Sequence, residues 1–307
     1  MEQAFAIPTW AMGLVLMAIV APIIFGGLKS IAKVAELVVP LMALLYLILA
    51  LVVVALNISD LPAAIMTIVQ SAFGIEQAAG GAMGYAISQA IMNGIQRGLF
   101  SNEAGMGSAP NAAATASTRP DHPAAQGFIQ MLGVFLDTLV ICTATAAIII
   151  MAGPELLAGE NSNGIQLTQM ALSSHVGDWG GMFVAIAILL FAFTSVIANY
   201  SYGESNIEYL AGRRAPVAVM IYRFAVLGMI MVGSVASLGA IWNFADLSMG
   251  MMAIINLVAI LLLSPIAFAL FKDYDTQLKA GKEPVFDPSQ FPKLAKKVDP
   301  KAWPKQK

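Results

Sequence analysis

The chain has 307 residues, of which 59% are hydrophobic and 11% charged, with a net charge of −2 and a mean hydropathy of +0.79. So apolar a composition excludes an ordinary soluble domain, and near-neutral charge without a basic patch interleaved with aromatics excludes a nucleic-acid binder. A single cysteine, Cys142, rules out an internal disulfide, and two separated histidines, His122 and His175, rule out a zinc set.

Apolar runs occur at 11–27, 34–56, 126–152, 180–200, 216–238 and 248–271, each about long enough to cross ~30 Å of hydrocarbon. A seventh, more polar run lies at 78–100. The fold class read from this pattern is an all-α integral membrane protein with seven transmembrane helices over residues 1–275. Residues 276–307, rich in Lys and Pro, read as a solvated tail. No cationic segment precedes the first run, so it does not read as a signal peptide.

Assigning loops alternately places every Lys and Arg on one side: Lys29 and Lys33 in 28–36, Arg97 and Arg119 in 97–124, Arg213, Arg214 and Arg223 in 201–223, and the rest after 271. The opposite loops carry only acids: Glu2, Asp60, Glu76, Glu155, Glu160, Asp178 and Asp246. The positive-inside rule makes the basic side and the C-terminus cytoplasmic. Residues 57–75 then read as an external helix lying on the surface, and 153–178 as a second external connection folded into short helices.

Polar groups inside the runs mark candidate sites. Gly80, Gly81 and Gly84 weaken any helix at the start of 78–100, and Tyr85, Gln89, Asn93 and Gln96 follow on one helical face. Such a stripe needs protein or water beside it. The glycines fit a broken helix whose freed backbone touches a solute, or equally close packing of helices. In 180–200, the Thr194 and Ser195 hydroxyls suit a hard cation such as Na⁺; the alternative is bonding to their own helix's carbonyls. Asp137 lies near mid-depth of 126–152, where an unpaired carboxylate costs ~2.5–3.5 kcal/mol. It reads as an ion or proton relay or as a structural hydrogen bond. Asn256 is expected to bond a neighbouring helix, and Pro265 to kink the last span. Catalytic constellations are absent: no G-x-S-x-G accompanies His122 and Asp121, and the glycine cluster follows no strand.

Residues 97–116 read RGLFSNEAGMGSAPNAAATA. Arg97 and Glu103 fit a cytoplasmic gate pair, or the whole is a tightly packed loop. The string Gly98-Leu99-Phe100-Ser101-Asn102-Glu103-Ala104-Gly105-Met106-Gly107-Ser108-Ala109-Pro110 closely resembles the hallmark of the alanine or glycine:cation symporter family. The resemblance continues through Asp137 to Thr145, Phe191 to Ser195 with Tyr202-Gly203-Glu204, and around Asn256, covering residues 9–275.

That resemblance implies part of a five-plus-five inverted-repeat transporter of the amino acid–polyamine–cation superfamily, here family helices four to ten, with 78–100 the broken sixth helix. It implies no enzyme activity and no cofactor beyond a coupling ion. Its partners are Na⁺, a small neutral amino acid such as alanine or glycine, and the lipid bilayer of a bacterial inner membrane. Thr194 and Ser195 match the hydroxyls around the sodium site. Gly80, Gly81, Ala82, Met83 and Gly84, with Ser195 and Asn199, match substrate contacts. Coupling to H⁺ through Asp137 is the alternative. Family members begin with three further spans, so the sequence is expected to be incomplete, with a fragment needing a separate N-terminal chain as the other reading. Asn199 stands where the family often has Trp, and Ala82 where a larger aromatic is common. Both changes predict a substrate larger or more polar than alanine. Oligomeric state is not readable.

Overall fold

The structure, a computed structural model, describes residues 5–73, 83–153 and 164–295, and the regular secondary structure within them is all helical. In chain order the helices are α1 (Thr9–Phe25), α2 (Leu28–Leu56), α3 (Leu61–Ala72), α4 (Met83–Asn102), α5 (Ala109–Thr115) and α6 (Pro123–Phe135). A π-helical segment, Leu136–Cys142, joins α6 to α7 (Thr143–Met151). Then come α8 (Ile165–Val176), α9 (Asp178–Ala211), α10 (Ala215–Val235), α11 (Leu238–Lys279) and the short α12 (Pro292–Ala295). Proline opens α3, α5, α6 and α10. At a first turn its missing N–H has no intrahelical partner to lose and its fixed φ is already helical.

Four stretches are long and apolar enough to cross a membrane: Leu28–Leu56, Pro123–Met151, Asp178–Val235 and Leu238–Lys279. The third turns at Gly212–Arg214, so that α9 and α10 pack against each other. The helices coincide with the expected apolar runs, and α3 and α8 occupy the two expected connections. Along α11 the apolar side chains point outward, with Leu261 and Leu262 73% and 75% exposed. Surface of that kind over a whole helix calls for a non-aqueous neighbour.

The chain forms two compact units. The first comprises Met1–Asn102 and Leu136–Ser248, and α9 is its centre, touching α1, α2, α8 and α10. One buried cluster joins Val20 and Ile24 of α1 and Ile31 of α2 to Phe193, Ile197 and Tyr200 of α9. A second joins Leu49, Ala50 and Val53 of α2, Ile148 of α7, Ala171 and Leu172 of α8, and Val184 of α9. The Tyr46 and Thr145 hydroxyls, 2.6 Å apart, add a polar tie between α2 and α7. The second unit comprises Glu103–Phe135 and Met249–Lys307. There α5 packs on α6, and the Phe128 ring of α6 meets those of Phe271 and Tyr274 of α11 at a tilt.

Three expectations are corrected. No loop spans 28–36: Gly26 and Gly27 alone separate α1 from α2, so Lys29 and Lys33 belong to the first turns of a helix. Arg223 is not in a loop either, but about 12 Å into α10 at 1.5 Å per residue. The tail is not simply solvated, because Phe286 is buried and its N–H bonds Asp121.

Ile197 is fully buried in the α1–α2–α9 cluster. Ile197→Ala should destabilise the protein by about 2–5 kcal/mol, seen as a lower midpoint of thermal unfolding in detergent, while Leu261→Ala on the exposed face of α11 should leave the midpoint unchanged.

Candidate functional site

The hydroxyl stripe of α9 divides between two faces, because adjacent helical residues point about 100° apart. Thr194 is buried; its hydroxyl donates to the Phe191 carbonyl at 3.0 Å and lies 3.9 Å from the Met42 sulfur. Ser195 and Asn199 are exposed and line a largely apolar cavity of about 490 Å³ with Leu16 of α1 and Tyr222, Val226 and Ser234 of α10. Asn199 donates to the Ser195 carbonyl at 2.9 Å. The fold thus brings Ser195 and Asn199 together and turns Thr194 toward α2.

Gly80, Gly81 and Ala82 lie outside the described residues. Met83 and Gly84 are the first residues of α4 and are helical. Farther along, Asn93 donates to the Gln89 carbonyl at 2.9 Å. The end of α4 is tied to the π-helical segment: Ser101 donates to the Asp137 carboxylate at 2.7 Å, and Asn102 to the Thr138 hydroxyl at 2.9 Å. A π turn shifts backbone bonding by one residue and recurs at functional sites. Nothing in the local sequence announces it.

Arg97 does not pair with Glu103. Its guanidinium makes a two-pronged bond to Asp246 of α11, at 3.0 and 3.2 Å, and stacks over Trp242 with 4.4 Å to the ring centre. Alternating loops put Arg97 and Asp246 on opposite sides of the membrane. Both belong to helices, α4 and α11, and their contact places them on the same side. In the second unit, Glu103 accepts from the Ser108 hydroxyl at 2.6 Å.

The hallmark loop is hooked onto the middle of α11. Asn256, about 27 Å along that helix, donates to the Gly105 carbonyl at 2.9 Å. Gly107 has φ +102°, and a Cβ there would come within 3.0 Å of the Asn256 side chain. Asn256 therefore holds a loop carbonyl rather than another helix. Met106 and Ser108 are buried beside it.

Sequence reasoning missed one cluster in the first unit. Glu204 of α9 is buried and bonds Arg223 of α10 at 2.8 Å, while the Arg223 Nε donates to the Tyr200 hydroxyl at 3.0 Å. Tyr200 and Tyr222 stack, and Phe25 lies under the guanidinium at 5.5 Å. Gly203 lets the Tyr222 hydroxyl lie where a Cβ would collide with it. The available signal was an acid and an arginine in consecutive apolar helices, each about two turns from the joint.

Long apolar helices carrying paired charges mark a multi-pass membrane protein. The sodium:alanine symporter family matches residues 1–288, and the chain belongs to that family. It is 52% identical over 285 residues to a probable sodium/glutamine symporter of Bacillus subtilis, covering 93% of this chain and 58% of that protein. It is 39% identical to a sodium/alanine symporter of Methanococcus maripaludis, covering 88% of this chain and 58% of that one. It is 37% identical to a sodium/proton-dependent alanine carrier of Bacillus sp. PS3, covering 94% and 67%. The chain thus spans only about 60% of the length of the first of these relatives.

Removing one partner of a buried ion pair strands the other charge and costs about 3–5 kcal/mol. Arg223→Met and Glu204→Gln should each lower the thermal unfolding midpoint in detergent. The double variant should be more stable than the sum of the single losses, and strict additivity would show that the two charges do not interact.

Proposed function

We propose that the protein is a sodium-coupled symporter of small neutral amino acids, alanine or glycine among them, acting by alternating access. In this reading the seven apolar runs are seven crossings, family helices four to ten of a five-plus-five inverted repeat. The membrane is the cell (inner) membrane, with the C-terminus cytoplasmic. The observation that carries the reading is membership of the sodium:alanine symporter family over residues 1–288, with the hallmark string intact from Gly98 to Pro110.

The roles proposed for individual residues follow from their chemistry. Thr194 spends its proton on the Phe191 carbonyl, so its oxygen lone pairs remain to coordinate a hard cation, whereas Ser195, proposed from the resemblance as the second hydroxyl, is turned to the cavity face of α9 and is left to the substrate. Gly80, Gly81, Ala82, Met83 and Gly84 supply backbone to the amino acid, and Ser195 and Asn199 supply side chains. Arg97, now with Asp246 as its partner, and Glu103, with Ser108, serve as contacts that break and re-form during the cycle. Na⁺ and substrate then tighten each other's binding by one common factor.

The substrate we favour is more polar or larger than alanine. Asn199 faces the same cavity as Ser195, and the Bacillus subtilis relative is described as a probable glutamine symporter. A second reading, proton coupling, rests on Asp137, which sits in the π-helical segment with a hydroxyl donor on its carboxylate.

Uptake of labelled alanine into vesicles carrying the protein tests the reading. An inward Na⁺ gradient at fixed pH should drive accumulation, and Thr194→Ala should weaken apparent Na⁺ affinity about tenfold, a change of roughly 1.4 kcal/mol. Accumulation driven by a pH gradient without Na⁺, and abolished by Asp137→Asn, would replace sodium with proton coupling. If the chain alone binds no alanine in Na⁺ but gains binding when co-expressed with the N-terminal part of a relative, it acts as one piece of a two-part transporter.

In competition experiments, unlabelled glutamine and serine should reduce alanine uptake. If only alanine and glycine compete, the reading of a substrate larger or more polar than alanine is wrong.

A further inference from the structure

We propose that residues Val285–Phe291 form a releasable strap that fastens the C-terminal end of α11 to the N-terminal end of α6. The inference concerns the second unit alone and stands independently of the transport reading.

The strap begins with the way α11 ends. Lys282 N–H bonds the Gln277 carbonyl at 3.0 Å and Gly281 N–H bonds the Leu278 carbonyl at 3.0 Å, with Gly281 at φ +70°. This bond pair, with a left-handed glycine just past the helix, is a Schellman ending, and it reverses the chain. The sequence Lys279-Ala280-Gly281-Lys282 therefore aims the following residues back along the helix they have just left.

The returning segment is then held by its backbone. The Gln277 side chain takes both polar groups of one residue: its Oε1 accepts from Val285 N–H at 2.9 Å and its Nε2 donates to the Val285 carbonyl at 3.0 Å. One helix side chain thus imitates a strand neighbour and grips main chain. Next, Phe286 N–H donates to the Asp121 carbonyl at 2.9 Å, on the loop that precedes α6. The Phe286 ring is 3% exposed, packed edge-on to His122 and against Phe291.

What the strap covers is an ionisable pair. His122 is fully buried. Its Nδ1 accepts from Ala124 N–H at 3.1 Å, which places the ring proton on Nε2, donated to Asp273 of α11 at 3.2 Å. The Gln277 amide also donates to that carboxylate at 3.0 Å. One hydrogen-bonded chain thus runs from the strap through Gln277, Asp273 and His122 to the first turn of α6. The hydrogen bonds described for the strap lie at helix ends, so they can open without unwinding α6 or α11, and opening exposes His122 to water.

Hydrogen exchange on the protein in detergent micelles, read by mass spectrometry over residues 283–291, tests the strap. Val285 and Phe286 amides should exchange about 100-fold more slowly than in a free peptide of the same sequence. Gln277→Ala should accelerate them at least about tenfold while α6 amides stay protected, and Gln290→Ala, at an exposed position, should change nothing. Free-peptide exchange in the unmodified protein, or no acceleration in Gln277→Ala, would overturn the proposal. Loss of protection across α6 as well in Gln277→Ala would also contradict it, since the segment would then be part of the fold rather than a strap on it.

Discussion

A polar group inside an apolar helical stretch must find its partner within the same protein, because the surroundings offer none. This constraint explains why the described polar residues occur in the pairs they do. Glu204 meets Arg223 between α9 and α10, and Arg97 meets Asp246 between α4 and α11. Asp137 meets Ser101 between the π-helical segment and α4, and Asn256 meets the Gly105 carbonyl. Each pair joins separate segments, so the requirement for satisfaction also helps specify how helices with featureless apolar surfaces find their register. Apolar packing alone is less discriminating, since lipid tails compete on equal terms with leucine side chains.

The same constraint organises the candidate site. Helix α9 turns the Thr194 hydroxyl toward Met42 of α2 and buries Glu204 where Arg223 of α10 supplies its partner. The hallmark loop illustrates the principle differently. Irregular backbone is costly beside apolar helix, yet Gly105 and Gly107 allow the loop to approach α11 closely enough for Asn256 to bond a carbonyl directly. The specificity of that sequence string therefore has a physical source: two glycines in left-handed conformations, and one amide placed opposite them.

Much of the fold was legible because hydropathy reports helices directly. The six apolar runs and residues 83–100 of the polar run became helices, and α3 and α8 lie in the two connections. What was not legible was the position of charges. Counting loops treats a charged residue as a sign of water, so Arg223 and Asp246 were assigned to connections, and Arg97 to the wrong partner. A charge with a distant partner is indistinguishable from a solvated one until the helices are placed together. The π turn at Leu136–Cys142 was likewise hidden, since LDTLVIC carries no glycine or proline to mark it. The resemblance identified the family correctly. It named Thr194 and Ser195 together, and only the geometry separates one facing Met42 from the other facing the cavity.

Exchanging the Arg97 and Asp246 charges tests the pairing principle most directly. Arg97→Asp and Asp246→Arg alone place like charges together, and each should lower the thermal unfolding midpoint of the protein in lipid nanodiscs. The account predicts that the double exchange recovers most of that loss. A double variant no more stable than the worse single one would show that these charges do not hold α4 to α11, and the account built on internal pairing would fail.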